Sequence, residues 1–465
     1  MLQPPADAGD SDWRLTAPSA SADGYQDGIT FLRINNPPRI MPAILIQNGR
    51  VIDPSQGIDR VTNLLLRDGK VAAYDVKPDG QDTIIDAADR IVSPGLIDMH
   101  VHLREPGREE DETIASGTAA ALAGGFTSIA CMPNTDPPID SQGAVAFIQG
   151  QAARADNCNV YPVACVSQNR EGKELAEIGQ LVEAGAVAFT DDGSPIANPE
   201  LMRRAFEYCL MFDKPVLNHA EIRELTEHGV MHEGLTSLLL GLSGMPPAAE
   251  DVMVSRDIAL AEATGGRYHV MHVSTGSAVD AVRRAKARGV RVTAEVAPHH
   301  FTLTDESLRS FDSNFKMNPP LRAKGHVKGV TDGLIDGTID VIATDHAPHA
   351  KEKKMQELDR APFGIVGLET ALGLVVTKLI NPGHLDWPTA LAKLTCNPAR
   401  ILHLPKGTLQ IGADADVTII NPAARWTVDP AEFRSKSTNT PFAGWELTGR
   451  AEVVIVGGRI KFDRR

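Results

Sequence analysis

The middle of the chain alternates between short apolar runs and longer stretches with helical spacing, and this alternation limits the folds that the chain can adopt. The helix-like stretches separate most of the runs, and several of them end in glycine, as helix C-termini often do. Eight runs have the length and composition of buried strands: residues 91–103, 127–134, 160–167, 186–192, 215–220, 268–274, 290–300 and 341–348. Eight alternating strand–helix units predict a parallel (β/α)8 barrel.

A doubly wound open sheet is the competing architecture for such an alternating pattern. Its dinucleotide-binding form carries a Gly-x-Gly-x-x-Gly motif after the first strand, and no such motif follows the run at residues 91–103. Eight is also the natural strand number of a closed barrel. We therefore expect the barrel.

Both ends of the chain differ from this alternating middle. Residues 41–92 contain short β-type runs separated by turn dipeptides, and residues 404–465 repeat the same style. The pattern predicts a small β-sandwich domain built from both chain ends, residues 41–92 and 404–465. The TIM-like barrel would then occupy residues 93–403.

Residues 1–40 look unlike the rest of the chain. They are rich in Ala, Asp, Ser and Pro and show no sustained periodicity, so we expect a disordered extension. Met41 opens the first well-patterned segment. Two interpretations stay open: a natural flexible tail, or an upstream segment that precedes a true start at Met41.

Charge and composition exclude several classes of function. The chain has 465 residues with 46 Lys+Arg and 60 Asp+Glu, a formal net charge of −14. Binding nucleic acid needs a basic face, so the acidic excess argues against that partner. No apolar run approaches the roughly 20 residues of a membrane span, which argues against a membrane partner. The five cysteines lack CxxC spacing, so no disulfide framework is indicated and a cytoplasmic location is expected.

Polar side chains lie where the predicted strands end, and in a barrel those ends surround the active site. The first run carries, at alternating positions and therefore on one face, Asp98, His100, His102 and Arg104. Other strand ends supply Asp191-Asp192, His219, His272 and Asp345. Imidazole and carboxylate are ligands that zinc takes, and a shared carboxylate suits a two-metal centre. For any single residue a capping role is the plainer interpretation, but agreement across five strand ends favours ligands.

Strand alternation makes two further predictions. His269 differs in parity from His272, so its side chain is expected to face the surrounding helices. At the end of the fourth run, only one of Asp191 and Asp192 can face the mouth of the barrel.

The run PGLIDMHVHLREPG at residues 94–107 resembles the amidohydrolase superfamily signature in its dihydroorotase form. The agreement continues, in order, through CMPNT (131–135), FTDDG (189–193), NHAE (218–221), HVS (272–274), EVAPHH (295–300), KMNPPLR (316–322) and ATDHAPH (343–349). The set together resembles the long-chain, class I bacterial dihydroorotases. The resemblance implies the reversible hydrolysis of (S)-dihydroorotate to N-carbamoyl-L-aspartate, a step of pyrimidine (UMP) biosynthesis.

The resemblance also implies a metal centre of two zinc ions bridged by Asp192 and a hydroxide. The hydroxide would be the nucleophile, and Asp345 the general acid and base. One ion would be held by His100, His102, Asp192 and Asp345, and the other by Asp192, His219 and His272. Many relatives, hydantoinases among them, bridge their metals with a carboxylated lysine at the end of strand four, where this chain has no lysine.

Substrate contacts are implied as well. Arg104, Asn134 and His349 match residues that grip the dihydroorotate carboxylate, and a guanidinium suits this role because it can form two parallel hydrogen bonds with a carboxylate. The positions that match segments in contact with the pyrimidine ring are Asn318, Phe363 and Gly364. The alternative for Arg104 is a surface ion pair with the acidic residues near it in sequence.

Two other functions stay open at this point. Another cyclic amidohydrolase, such as a hydantoinase, dihydropyrimidinase or allantoinase, would share the barrel and the His-x-His pair. A non-catalytic dihydroorotase-like subunit of aspartate transcarbamoylase would have lost metal ligands, and every expected ligand is present here. The resemblance implies a small-molecule substrate and a homodimer, and it allows aspartate transcarbamoylase as a partner.

Overall fold

The computed structural model describes residues 43–80 and 82–465, so the predicted extension at residues 1–40 lies outside the described residues. The strands of its first half are β1 (Ile44–Asp53), β2 (Ile58–Arg67), β3 (Lys70–Tyr74), β4 (Thr83–Asp86), β5 (Ile91–Pro94), β6 (Leu96–Val101), β7 (Phe126–Cys131), β8 (Asn159–Ala164) and β9 (Ala188–Phe189). The later strands are β10 (Pro215–Asn218), β11 (Met231–His232), β12 (Gly244–Met245), β13 (Arg267–Val270), β14 (Val292–Val296), β15 (Val341–Ile342), β16 (Val417–Thr427), β17 (Glu446–Val456) and β18 (Arg459–Asp463).

Helices lie mainly between the strands of the middle region. Those in its first half are α1 (Ile114–Gly124), α2 (Gln142–Ala155), α3 (Ile178–Ala184), α4 (Pro199–Leu210), α5 (Arg223–Thr226), α6 (Leu235–Leu240) and α7 (Ala248–Thr264). Those that follow are α8 (Gly276–Ala287), α9 (Pro298–Thr302), α10 (Lys324–Ile335), α11 (Lys351–Lys354), α12 (Ala371–Val375), α13 (Trp387–Leu394) and α14 (Cys396–Leu402). Across the described residues, no helix combines the length and the apolar character that a membrane crossing requires.

Eight parallel strands of the described chain form a nearly closed barrel in the order β6-β7-β8-β9-β10-β13-β14-β15. The two outermost strands meet through a bridge between Val101 and His346, next to which the His102 N–H donates to the His346 carbonyl at 2.9 Å. This closure rules out the open sheet, and the predicted (β/α)8 barrel is confirmed. The pair β11 and β12 forms a separate small sheet outside the barrel.

The barrel strands are apolar on both faces, because helices cover the outside and side chains fill the inside. Tyr268 and Val270 of β13 pack outward, in the same core cluster as side chains of the surrounding helices. Met99, Val163 and Leu217 belong to a second cluster inside the barrel. The two layers give the strand ends a rigid support.

Glycine ends several helices, as the sequence predicts. Gly125 and Gly265 follow α1 and α7 in the left-handed conformation, with φ of 99° and 74°. At the opposite ends of helices, Thr113 before α1 and Thr275 before α8 accept hydrogen bonds from first-turn N–H groups. These caps fix where each helix leaves the loops at the barrel mouth.

The run at residues 91–103, predicted as one barrel strand, is two strands in the structure. β5 pairs with β1 and β16 in a second sheet, whereas β6 pairs with β7 in the barrel. Gly95 separates them, and a Cβ at this position would lie 2.0 Å from Thr127 Oγ1. The chain therefore passes from one sheet to the other at Gly95, where a larger side chain would not fit. The apolar run in the sequence gives no sign of this division.

The second sheet combines both ends of the described chain, in the order β18-β17-β16-β5-β1-β2-β3 with β4 beside β1. Its own core brings together, from both ends, Ile46, Leu64, Val92, Val417 and Ile455. The predicted β-type domain built from both chain ends is confirmed. The boundaries drawn at residues 92 and 404 stay predictions.

Gly124→Ala tests the packing of α1 against the loop that contains Leu368. A Cβ at Gly124 would lie 2.1 Å from the Leu368 carbonyl oxygen, a backbone atom that cannot rotate away. We expect the substitution to lower the free energy of unfolding by about 1–3 kcal/mol.

The matched control is Gly150→Ala, in the middle of α2, where an added Cβ has nothing within 4 Å. There the higher helix propensity of alanine should raise the free energy of unfolding by about 0.5–1 kcal/mol. Urea titrations of both variants would contradict the packing argument if they gave shifts of the same sign.

Candidate metal centre

Four histidines and two aspartates converge at the C-terminal mouth of the barrel, where the sequence placed them. All six side chains are buried: His100, His102, Asp192, His219, His272 and Asp345. Each comes from the end of a barrel strand or from the residues just beyond it. Barrel closure therefore brings together side chains that are far apart in the sequence.

The carboxylate of Asp192 lies at the centre of this group, and its two oxygens face different histidine pairs. Its Oδ2 lies 3.6 Å from His100 Nε2 and 3.4 Å from His102 Nε2. Its Oδ1 lies 3.7 Å from His219 Nδ1 and 3.8 Å from His272 Nε2. Two groups of possible ligands result, and they share Asp192.

Asp345 completes the side of the centre that contains His100 and His102. Its Oδ1 lies 3.5 Å from His100 Nε2 and 3.1 Å from His102 Nε2. The first group therefore has two imidazoles and two carboxylates, whereas the second has two imidazoles and the shared carboxylate. This division matches the division of ligands implied by the sequence resemblance.

Hydrogen bonds fix which nitrogen is free in three of the four candidate ligand imidazoles. His100 Nδ1 donates to Glu295 Oε1 at 2.5 Å, and His102 Nδ1 donates to Asn134 Oδ1 at 2.9 Å. His219 Nε2 donates to Glu221 Oε2 at 3.2 Å. In each of these three rings the opposite nitrogen then carries no proton, and its lone pair is directed toward Asp192, as a metal ligand requires.

The arrangement fits cations better than it fits a hydrogen-bond network. His100 Nε2 is buried and has no hydrogen-bond partner in the described part of the chain. Its distances to the carboxylates of Asp192 and Asp345, 3.6 and 3.5 Å, exceed those of good hydrogen bonds. A buried imidazole nitrogen without a hydrogen-bond partner needs an explanation, and a bound cation would provide one. Imidazole nitrogen and carboxylate oxygen are ligands that zinc takes.

Burial and charge act in opposite directions on the acidic ligands. Burial favours the neutral carboxyl of Asp345, but neighbouring His100 and His102 outweigh it and hold its pKa below the usual range. The same balance, with His100 as the main opposing group, lowers the pKa of Asp192. Both carboxylates are therefore ionised at neutral pH, as metal ligands must be.

The structure distinguishes Asp192 from its neighbour Asp191. The carboxylate of Asp191 accepts the N–H groups of Val166 and Ser167, at 2.9 and 3.1 Å, and the Ser167 hydroxyl. It therefore ties the end of β9 to the segment after β8. Asp192 alone of the two is directed at the histidines, as the resemblance implies.

Strand parity gave one wrong orientation, and the backbone explains why. Three residues at the mouth, Arg104, His272 and Asp345, have positive φ of 62°, 31° and 49°. Non-glycine residues in this region are strained and cluster at functional sites. A residue in the left-handed conformation interrupts the alternation of side chains along a strand. Residues on opposite sides of it therefore no longer keep the faces that their spacing in the sequence predicts.

His269 is the clearest case, because its predicted orientation toward the helices is wrong. Its neighbours Tyr268 and Val270 face the helices, whereas His269 Nε2 donates to Glu295 Oε2 at 3.2 Å inside the barrel. Asp98, predicted to share a face with His100, accepts the N–H groups of His100 and Thr344.

Glu295 is a functional residue that sequence reasoning missed. One of its oxygens accepts from His100 and the other from His269, so it fixes the orientation of a metal-ligand candidate. Burial opposes its ionisation, but His100 outweighs burial and lowers the pKa of Glu295 to about 2. A charged residue in the apolar strand β14 was the available signal.

A cavity of about 190 Å³ opens beside the centre. Its walls include every residue predicted to contact substrate: Arg104, Asn134, Asn318, His349, Phe363 and Gly364. Five of the six candidate metal ligands also line it, the exception being His100. The two predicted sets, drawn from distant motifs, thus form one site.

Arg104 is buried and available to an anion. Its Nε donates to the Pro348 carbonyl at 3.2 Å, and it forms no ion pair within the described residues. The alternative of a surface ion pair is therefore wrong, because Glu105 instead accepts from the Ile114 N–H and from Gln151. Burial, with Arg108 nearby, lowers the pKa of Arg104 to about 10, so the guanidinium stays charged at neutral pH.

Known proteins resemble this chain over almost all of the described length. A family model described as dihydro-orotase-like matches residues 89–278, and another described as amidohydrolase family matches residues 248–462. A dihydroorotase from Pelotomaculum thermopropionicum is 54% identical over 91% of this chain and 99% of its own. A dihydroorotase from Syntrophus aciditrophicus is 52% identical over 90% of this chain and 99% of its own.

Solved structures give the same fold. An L-hydantoinase (dihydropyrimidinase) from Arthrobacter aurescens superposes with a TM-score of 0.82 at 26% sequence identity, over 91% of this chain and 97% of its own. A D-hydantoinase (dihydropyrimidinase) from Thermus sp. has a TM-score of 0.76 at 27% identity, over 90% of this chain and 95% of its own. These structures are far less similar in sequence than the dihydroorotases.

Asp192→Asn and Asp191→Asn form a matched pair that tests which aspartate is shared. An amide nitrogen cannot replace the second carboxylate oxygen as a ligand, so Asp192→Asn should bind at most half as much metal as the parent protein. Asp191→Asn should keep the parent metal content. Elemental analysis of zinc-loaded samples measures both, and equal metal content in the two variants would contradict the assignment.

Glu295→Gln tests the support of His100. The substitution removes the charge that fixes the imidazole but keeps the shape, so metal affinity should fall about 10–100-fold. Competition with a chelator measures the affinity. Glu262→Gln, an exposed position paired with Arg288, is the control and should leave affinity unchanged. An affinity equal to that of the control would show that Glu295 does not support the centre.

Proposed function

The chain belongs to the dihydroorotase family, and on that premise we propose that its barrel-mouth site hydrolyses (S)-dihydroorotate reversibly to N-carbamoyl-L-aspartate. In pyrimidine biosynthesis the reaction runs toward ring closure. The observation that carries the proposal is one cavity in which Arg104, buried and without an ion pair among the described residues, lies beside the candidate ligands centred on Asp192. A substrate with both a carboxylate and a ring amide suits that pairing.

The metals that we propose are two zinc ions, held by the two groups that share Asp192. His100, His102 and Asp345 would complete one set, whereas His219 and His272 would complete the other. The imidazole and carboxylate donors of these sets are those that zinc takes. When bound, such ions polarise a carbonyl group and lower the pKa of water, which an unstrained amide needs for hydrolysis at neutral pH.

Arg104 binds the carboxylate of the substrate in this proposal, with Asn134 and His349 beside it. The planar guanidinium can form two parallel hydrogen bonds with a carboxylate, and its sequence neighbour Glu105 bonds to the Ile114 N–H instead. Burial, followed by the charge of Arg104, lowers the pKa of His349 to about 2, so its ring is neutral at physiological pH. Fixing the carboxylate orients the ring amide toward Asp345.

Asp345 moves the proton in our proposed mechanism. In hydrolysis a C–O bond forms at the ring carbonyl and the ring C–N bond breaks. Asp345 accepts the proton that the attacking water loses and delivers it to the departing nitrogen. In ring closure the same carboxylate removes the proton from the ureido nitrogen. The lowered pKa of Asp345 in this site keeps its carboxylate ionised at neutral pH.

The other cyclic amidohydrolases are less well supported. The hydantoinase structures share the fold at 26–27% identity, against 54% for a dihydroorotase. At the end of β9 this chain has aspartate at the metal-bridging position rather than lysine. A non-catalytic subunit is disfavoured because all the candidate ligands converge. Cytoplasmic location, a homodimer and a complex with aspartate transcarbamoylase stay predictions.

Turnover of L-dihydroorotate by the zinc-loaded protein tests the proposed function. We expect hydrolysis that a chelator abolishes and that added zinc restores. Hydantoin and allantoin lack the carboxylate, so their kcat/KM should be at least about a hundredfold lower. Absence of dihydroorotate turnover in protein with confirmed zinc, or a preference for hydantoin, would contradict the proposal.

Asp345→Asn tests the proton transfer separately from metal binding. The amide can still offer an oxygen to a metal but cannot cycle a proton, so kcat should fall at least about a hundredfold while metal is retained. Metal content and kcat are measured on the same sample. Wild-type turnover in this variant would remove Asp345 from its proposed role.

A further inference from the structure

Lys354 is a buried lysine whose ammonium group contacts only backbone carbonyls in the described structure. It closes the short helix α11, and 7% of its surface is exposed. Its Nζ donates to the carbonyls of Pro362 at 2.9 Å, Gly364 at 3.0 Å and Lys316 at 3.4 Å. The preceding Lys353 is different, because it pairs with the carboxylates of Glu110 and Asp111.

The three carbonyls belong to two loops that form a wall of the substrate cavity. One loop contains Lys316 and, two residues later, Asn318, whereas the other contains Phe363 and Gly364. Asn318, Phe363 and Gly364 all line the cavity, but Lys354 does not. Lys354 therefore joins the two loops from behind the cavity wall.

Other hydrogen bonds meet at the same place. The Gly364 N–H donates to the Lys316 carbonyl at 3.0 Å, which links the two loops directly. The Gly364 carbonyl also accepts from Asn439 Nδ2 at 3.1 Å, and His349 Nε2 donates to the Phe363 carbonyl at 2.7 Å. The loop at residues 362–364 thus connects the ring contacts to His349.

The cost of burying this ammonium argues that it has a role. A buried charge without an ionised partner is unfavourable, and lysine is almost never fully buried unless paired. Burial, with the ammonium of Lys316 nearby, lowers the pKa of Lys354 to about 7. Gly364 cannot easily be replaced as the meeting point, because its φ is 120° and a Cβ there would lie 2.7 Å from Ala347 Cβ.

The geometry points to Lys354 as a positioning residue that holds the two ring-contacting loops together and thereby sets the affinity of the site for its substrate. This inference rests on the proposed function. Lys354 touches none of the candidate metal ligands. Its loss should therefore weaken substrate binding and leave metal content and the chemical step nearly unchanged.

Three variants of α11 separate positioning from general stability. Lys354→Met keeps the length of the side chain and removes its charge and donors. Lys354→Arg keeps the charge and the donors. Lys351→Met is the matched control, because Lys351 is an exposed lysine of the same helix whose side chain forms no hydrogen bond or ion pair among the described residues.

Steady-state kinetics on L-dihydroorotate, with metal content measured in each sample, give the first readout. We expect Lys354→Met to raise KM about tenfold or more, with kcat within about threefold of wild type. Lys354→Arg should return KM to within about threefold of wild type, and Lys351→Met should leave both constants unchanged. A merely structural role would lower the fraction of folded protein without changing KM.

Hydrogen exchange in the metal-free protein gives a second readout that does not depend on activity. The Gly364 amide, which bonds to the Lys316 carbonyl, should exchange at least about tenfold faster in Lys354→Met than in wild type. If Lys354→Met does not fold, Lys354→Gln, which keeps two donors without the charge, replaces it under the same criteria.

Unchanged KM and unchanged exchange in a folded, metal-loaded Lys354→Met would overturn the inference. A fall in kcat at constant KM would also overturn it. Failure of the wild-type protein to hydrolyse dihydroorotate would overturn the proposed function instead, and the exchange of Gly364 would then still decide whether Lys354 joins the loops.

Discussion

The carboxylate of Asp192 must face two pairs of histidines at once, and the rest of the site depends on this requirement. One oxygen lies near His100 and His102, and the other lies near His219 and His272. Those histidines come from three strands of a closed barrel, so the barrel has to bring their ends to one level. The bridge between Val101 and His346 closes the barrel and so brings the strand ends together. It also places Asp345, next to His346, at the mouth.

The centre and the cavity are supported in different ways. Around the centre, side chains on a strand or just beyond one orient the imidazoles: Glu295 on β14 holds His100, and Asn134, three residues after β7, holds His102. Around the cavity, loops provide the contacts, and buried groups such as Lys354 and Asn439 tie those loops together. Chemistry thus depends on the rigid barrel, whereas substrate affinity depends on connections between loops. Substitutions in the two regions should therefore affect different kinetic constants.

Much of the fold and of the ligand set could be predicted from the sequence because both follow from regular repetition. Alternating runs predict a barrel, and polar residues at strand ends predict its mouth. The errors occur where regularity stops. Gly95 divides one apolar run between two sheets, and left-handed residues at the mouth upset the parity that placed His269. Lys354 is one of three lysines in a four-residue helix, and only the fold distinguishes it, as the buried one, from the other two.

Anomalous diffraction from crystals of the zinc-loaded protein would locate the metal ions relative to the shared carboxylate. We expect two zinc peaks on opposite sides of the Asp192 carboxylate, one beside His100 and His102 and the other beside His219 and His272. A single peak, or a second peak away from Asp192, would contradict this expectation.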